Sequence, residues 1–354
     1  MPLGWASRLG QNIKPDTVII NSLYFYPDHH HMQSKIDISL PKVIVLGTGG
    51  TIAGVSTAHA AQAGYRAGAL DIAALVAAAP GIELLANLQA EQIVSVDSKD
   101  MGAAVWEQLA RRIRDGLQQE DVAGCVVTHG SDTLEETAYF LHCVLPAGKP
   151  VVLTAAMRPA TALSADGPRN LYDAVQVAAS QQARGLGVVC VLHGRIHGAC
   201  DVSKAQPTAV DAFSSGERGP LGFVGVQGVQ ITRQLPSQPS GPLPLTPWQP
   251  PSEGWPRVEL VHSHAGADGA VVRALMQASQ SGDPSHKLAG LVVLGTGSGT
   301  VHEQLQTALD EAEATGLRVA YASRAGALSG GDFDGLNAVK IRIRLMLELA
   351  AAAA

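Results

Sequence analysis

From residue 42 onward the chain alternates short apolar, β-branched runs with stretches of helical period, and few folds accommodate that alternation. The runs at 43–46, 93–96, 123–128, 151–154 and 187–192 have the length and composition of strands buried on both faces. Between them Met101, Val105, Leu109 and Ile113 recur every fourth residue and so share one helix face. The stretch 132–145 and the stretch after Pro168 read in the same way. Strand, helix, strand, helix calls for a parallel sheet with right-handed crossovers. The expected class is α/β.

Over 234–256 (QLPSQPSGPLPLTPWQPPSEGWP) proline becomes too dense for a helix or a central strand, which predicts an extended connector. Strand-like runs resume at 258–262, 291–294 and 319–322. The reading is two α/β domains with parallel sheets: a larger one over 41–233, the Pro-rich linker 234–256, and a smaller one over 257–354. Residues 1–40, with His29-His30-His31 ahead of Met32, read as a disordered or extraneous tail outside that scheme. Hydrophobic residues make up 46% of the 354, enough to offset the ordering entropy of a folded chain. No apolar run reaches the roughly 18 residues of a membrane span. A formal charge of −6 argues against a nucleic-acid partner and suits a small neutral or zwitterionic ligand. The four cysteines form no C-x-x-C pair, and the first 41 residues hold no secretion-signal core. Free thiols and a cytoplasmic location are therefore expected.

Chemistry concentrates at strand ends. Gly47-Thr48-Gly49-Gly50-Thr51-Ile52-Ala53-Gly54 follows the first strand. A dinucleotide fingerprint would need a glycine or alanine where Ile52 stands, and no Gly-Lys-Ser/Thr phosphate loop is present. What remains is either a plain glycine turn or a hydroxyl, Thr51, presented where ligands sit in open α/β sheets. Thr128-His129-Gly130-Ser131-Asp132-Thr133 again follows a strand and opens a helix. Asp132 and Thr133 suit a helix cap as well as a site. Ser98, after Ser95-Val96-Asp97, suits either a cap or the same crevice. Asp201-Val202-Ser203-Lys204 offers an ammonium that would relay protons if brought beside a hydroxyl and a carboxylate. His193 and His197 lie four apart but straddle Gly194 at a strand end, which fits a polar loop better than a metal site.

Taken together and in order, Thr48–Gly54, His129–Thr137, Ala156-Met157-Arg158-Pro159, Ser164–Pro168 and Asp201–Lys204 resemble the bacterial-type L-asparaginase family, the asparaginase/glutaminase amidohydrolases. The similarity runs from about Lys42 to the carboxyl terminus. It implies hydrolysis of L-asparagine to L-aspartate and ammonia, with no metal or cofactor. Thr51 matches the family's nucleophilic threonine. Tyr65 matches the tyrosine of the following loop that closes over the substrate and helps activate that hydroxyl. Ser131, Asp132 and Lys204 match a second hydroxyl–acid–lysine group. Ser98 matches the serine that holds the substrate α-carboxylate, Asp132 also receives the α-ammonium, and Gly50 and Ser131 belong to the same substrate cradle. Ala156 falls where a backbone carbonyl lines the amide pocket. The family assembles as intimate dimers paired into tetramers, so a homotetramer is implied.

This chain departs from the family at three places. Ser131 replaces a threonine, keeping the hydroxyl and losing a methyl. Lys99 stands where many members carry glutamine near the substrate ammonium. The stretch from Ser323-Arg324 to Leu336-Asn337 is short where a neighbouring subunit usually donates a glutamate, and Ser298 replaces an asparagine that the neighbour often supplies. Alternative readings are a glutaminase-asparaginase of broader specificity, a non-catalytic amino-acid-binding homologue, and a subunit of a tRNA-dependent amidotransferase. The last would call for a basic tRNA surface and a further folded domain.

Overall fold

β1 (Lys42–Gly49) shows in miniature how the sheet is built, because its successive residues feed two different cores. Ile44 and Leu46 enter one apolar cluster, Val43 and Val45 the other, and all four are fully buried. A strand covered on both faces has no use for polar alternation, which is why the run is uniformly apolar. The computed structural model describes residues 40–56, 65–233, 248–252, 254–328 and 330–353.

After β1 come the two-residue strands β2 (Val55–Ser56) and β3 (Tyr65–Arg66), α1 (Ile72–Ala77), β4 (Asn87–Val96) and α2 (Ala103–Leu117). Next are β5 (Val122–Thr128), α3 (Leu134–Val144), β6 (Val151–Thr154), α4 (Gly167–Ala179) and β7 (Val188–Leu192). β8 (Arg195–Gly198), the hairpin β9 (Ser203–Lys204) and β10 (Phe213–Ser214), then β11 (Gly222–Gly225) and β12 (Gly228–Ile231) follow. The rest is β13 (Arg257–His262), α5 (Ala270–Ser279), β14 (Leu288–Gly295), α6 (Glu303–Ala314), β15 (Arg318–Ser323) and α7 (Ala338–Ala353).

Eight strands form one sheet in the order β12-β11-β8-β7-β6-β5-β1-β4. It is parallel from β4 to β7, as the alternation requires, and then turns antiparallel through β8, β11 and β12. The parallel sheet expected from the sequence is present and carries an antiparallel extension along one side. The reason lies at His193-Gly194, which join β7 to β8 as a two-residue loop with both residues at positive φ, 49° and 69°. Such a turn reverses the strand without a crossover helix. A second sheet, β13-β14-β15, is parallel throughout.

Both sheets meet at helices. α7 packs on β13, β14 and β15 and also on α3, which lies on β6 and β7 of the larger sheet. The proline-rich connector is anchored at its carboxyl end. Trp248 is buried, and it and Trp255 close on Phe140 at 5.6 and 5.8 Å between ring centroids, while Trp106 stacks on Phe140 at 5.0 Å. Such contacts add to the area that the rings bury. Residues 1–39, 57–64, 234–247, 253, 329 and 354 lie outside the described residues, and with them nearly all of the predicted tail. All four cysteines are free thiols: Cys125, Cys143 and Cys190 are buried and Cys200 is half-buried. Burial pushes the Cys125 thiol up to about 12 and that of Cys200 up to about 11. Among the described residues no helix is long and apolar enough to cross a membrane.

Candidate active site

Strand order decides where a site can form. β1 is flanked by β4 and β5, so the chain leaving β1 moves towards β4 and the chain leaving β5 moves the other way, towards β6. The carboxyl ends of β1 and β5 finish level, Gly47 opposite Thr128, and the diverging connections leave a crevice between them. Ligands collect at such switch points in open α/β sheets. The Thr51 turn and the Ser131–Asp132 segment are the two walls of that crevice.

On the β1 side, Gly49 and Gly50 both take positive φ, 100° and 78°. A Cβ on Gly50 would lie 2.3 Å from the Cα of Gly130, so the two strand-end loops touch only because both are glycine there. Gly50 also donates its N–H to Val96 O at 2.9 Å, tying the turn to β4. Thr51 then opens a single 3-10 turn, Thr51–Ala53, and is buried. Tyr65 is placed by its backbone in β3, opposite Ser56, on the strand pair that leaves this turn.

Across the crevice, the capping role open to Asp132 and Thr133 is not taken. Thr133 is the residue before α3, but its side chain makes no cap bond; its hydroxyl donates instead to Ser98 O at 2.7 Å. The Asp132 carboxylate points to Lys204, whose ammonium donates to Asp132 Oδ1 at 2.6 Å and to Ser131 Oγ at 2.9 Å. Two adjacent residues and a lysine more than seventy positions away thereby form one hydroxyl–lysine–carboxylate group. Lys204 is largely covered, while Asp132 is more than half exposed. Ser98 does not cap α2 either, since Gly102 precedes that helix. It is 2% exposed, and its hydroxyl accepts the Asp132 N–H at 3.2 Å.

The floor is rigid. His129 is fully buried; its Nδ1 donates to Gly130 O at 2.7 Å and its Nε2 accepts the Thr137 hydroxyl at 2.9 Å. That tautomer follows from the Gly130 carbonyl, which can only accept and so requires the proton on Nδ1; the neutral ring's Nε2 then takes the Thr137 hydroxyl proton, while the Trp106 indole donates to the same Thr137 oxygen at 2.8 Å. Burial holds the His129 pKa down at about 4, so the ring is neutral in the native state. Beyond β6, Ala156 is buried and close to Ile52: a Cβ on Gly167 would lie 3.0 Å from Ile52 Cγ1 and 3.5 Å from Ala156 Cβ. The Asp166 carboxylate accepts the N–H groups of Met157 and Arg158, both at 2.9 Å, and fixes the loop that carries Ala156.

Lys99, the cation expected to oppose a substrate ammonium, is exposed and paired with its neighbour Asp100. Ser298 is exposed on the turn after β14, which Ser323 Oγ holds by donating to Gly297 O at 2.7 Å. His197 differs from its reading as a loop residue: it lies within β8, is 2% exposed, and its Nδ1 is 2.8 Å from Ser215 Oγ. Burial, followed by the charge of Arg195, lowers its pKa to about 4. Among the described residues no three His, Cys, Asp or Glu side chains cluster as metal ligands. Sequence reasoning missed Glu135, Asn337 and Lys340, which lie behind Lys204. The Glu135 carboxylate accepts the Ser203 hydroxyl at 2.9 Å and the Asn337 amide at 2.7 Å.

Comparison with known proteins gives the family. Residues 42–237 match the family model described as asparaginase, N-terminal. A Haemophilus influenzae protein named probable L-asparaginase periplasmic is 39% identical over 285 residues, covering 80% of this chain and 78% of its own. A glutaminase-asparaginase of Pseudomonas fluorescens is 36% identical over 81% of this chain and 76% of its own. Among solved structures, a probable cytoplasmic L-asparaginase from Campylobacter jejuni aligns with a TM-score of 0.77 and 37% identity, covering 87% of this chain and 95% of that one. With a family model matched over more than half its length and relatives this similar over four-fifths of it, the chain belongs to the asparaginase family.

Proposed function

We propose that the protein hydrolyses the side-chain amide of L-asparagine to L-aspartate and ammonia, with Thr51 as the nucleophile. The observation that carries the reading is the Lys204 ammonium bonded at once to Ser131 and Asp132, across the switch-point crevice from the Thr51 turn. A threonine hydroxyl is weak at neutral pH and needs a neighbour to take its proton; Tyr65 has that role. Thr51 Oγ bonds to the amide carbon, the carbonyl oxygen takes the negative charge, and N–H groups of the glycine turn at Gly50 stabilise it. The C–N bond then breaks, and the nitrogen leaves as ammonia carrying the proton that Thr51 gave up. Water, its proton drawn off through Ser131, Lys204 and Asp132, attacks the resulting ester. The C–O bond breaks, aspartate leaves and Thr51 regains its hydrogen. Ser98 and Ser131 hold the α-carboxylate and Asp132 the α-ammonium, matching the two charges of a small zwitterion. The Ala156 carbonyl faces the amide.

Glutamine is the poorer substrate in this reading, since one methylene shifts preference by about 10- to 200-fold. The similarity to a glutaminase-asparaginase makes measurable glutamine turnover the expected result. Survival of the full hydroxyl–lysine–carboxylate group favours turnover over a binding-only homologue. The assembly follows as a homotetramer of intimate dimers, and four thiols without a disulfide favour the cytoplasm; mass measurement in solution and cell fractionation test these two points.

The decisive experiment is ammonia release from L-asparagine and L-glutamine at equal concentration, with Thr51→Ala alongside. Asparagine turnover is expected to exceed glutamine turnover and to fall by about 10³-fold or more in the variant. Turnover near wild type in Thr51→Ala would remove the nucleophile from the mechanism, and no turnover by the folded wild type would remove the reaction.

A further inference from the structure

Lys204 is held from behind by a second lysine that belongs to the other end of the chain. Lys340, on α7, is 1% exposed. Its ammonium donates to Cys200 O at 3.1 Å and to Val202 O, and it stands 3.6 Å from Glu135 Oε2. Both carbonyls lie within four residues of Lys204. The Glu135 carboxylate accepts three further hydrogen bonds: from Ser203 Oγ at 2.9 Å, from the backbone N–H of Lys204 itself at 3.3 Å, and from Asn337 Nδ2 at 2.7 Å. Asn337 Nδ2 also reaches Ser203 Oγ at 2.8 Å.

One carboxylate therefore fixes the main chain of Lys204, and that carboxylate stands three residues after Asp132 on the first turn of α3. The same carboxylate thus ties the Lys204 backbone to the first turn of the helix that follows Asp132. Burying an ammonium and a carboxylate is expensive, and an apolar pair of similar volume would fill the space at less cost. Burial pulls the Lys340 pKa down while Glu135 opposes the shift. What the ionic cluster supplies over an apolar one is direction, because each bond has a fixed length and angle.

We propose that Lys340, Glu135 and Asn337 are positioning residues that set the Lys204 ammonium against Ser131 and Asp132, making the carboxyl-terminal helix part of the hydrolytic apparatus. This rests on the reading of Lys204 as the proton relay. Misplacing a reacting group by about 1 Å costs on the order of 100-fold in rate, so loosening the cluster shows in kcat while the substrate contacts, and KM, stay in place.

The test compares wild type with Lys340→Met, Asn337→Ala and the double variant Lys340→Met/Glu135→Gln, which leaves no unpaired buried charge. Steady-state kinetics with L-asparagine across pH, well below each Tm, are measured beside the pH-dependent acetylation of Lys204 by dilute acetic anhydride, read by mass spectrometry. In Lys340→Met, kcat is expected to fall by about 10- to 100-fold with KM within threefold, and the Lys204 acetylation profile to shift. Asn337→Ala should shift both in the same sense by less. The double variant should recover Tm but not kcat. Wild-type kcat and acetylation in folded Lys340→Met or Asn337→Ala would overturn the proposal, as would a double variant that recovers kcat along with Tm. If the wild type released no ammonia while the acetylation profile still shifted, the asparaginase reading would fall and the positioning cluster would stand.

Discussion

His129 shows how one buried side chain records the conditions under which the site exists. In the unfolded chain its imidazole titrates near 6.5, while in the native protein burial holds it at about 4; His197 is depressed to the same level. Between those values the unfolded state binds more protons than the native one, so stability falls as pH drops from about 6.5 to about 4 and is insensitive to both residues above that window. The loss is up to about 3 kcal/mol for each histidine. Urea midpoints at pH 7 and pH 5 check this: the pH 5 midpoint should be lower, and less so in His129→Gln. Coincident midpoints for the wild type would contradict the burial argument. At this scale the family resemblance led to Ser98, Ser131, Asp132 and Lys204 being expected in one place, and the structure brings those four side chains together. What could not be read is the choice between a cap and a site at Asp132. Both roles use the same residue type at the same helix start, and only the partner 72 positions away decides it.

Elements built from continuous β-branched runs were visible in the sequence, and those built otherwise were not. β1, β5, β6 and β7 announce themselves by apolar content, whereas β8, β11 and β12 are short, glycine-containing and stabilised by pairing with strands already in place. The β9–β10 hairpin is the functional case. Two residues long on each side, it pairs Lys204 with Phe213, and Phe213 is buried in the larger core. Packing of that ring, rather than strand propensity, seats the lysine. Phe213→Ala is expected to cost about 3–5 kcal/mol in chemical denaturation and to lower asparagine turnover more than it raises KM. Unchanged kcat in the folded variant would show that the hairpin needs no apolar anchor. On α7, Lys340 and Arg344 are of types that usually sit in solvent, yet both are buried and spend their donors on Val202, Cys200 and Glu348. A residue type that is usually exposed gives no local sign that it is inside.

Across the molecule, the larger apolar cluster runs without interruption from Ile44 and Val127 of the eight-stranded sheet, through Tyr139 and Phe140 of α3, to Ile341 and Leu345 of α7 and Val292 of the smaller sheet. Leu40–Ala354 accordingly cluster as one compact unit. A shared core predicts cooperative loss of both sheets. Heating should give one calorimetric transition that coincides with the change in tryptophan fluorescence, and two separated transitions would show that the sheets unfold independently. The proline-rich composition that suggested a division in sequence could not reveal that Trp248 and Trp255 dock edge-on against Phe140, because ring partners more than a hundred positions apart leave no periodic trace. The buried thiols have a practical consequence. A thiol reacts as its thiolate, and Cys125 and Cys200 hold their protons until far above neutral pH, while burial raises the other two as well. Maleimide labelling of the native protein is therefore expected to be slow at neutral pH, and a cysteine introduced at exposed Ser298 to label faster than the four native thiols. A fluorophore there would report whether that turn lies open or covered in solution, with no native cysteine removed first.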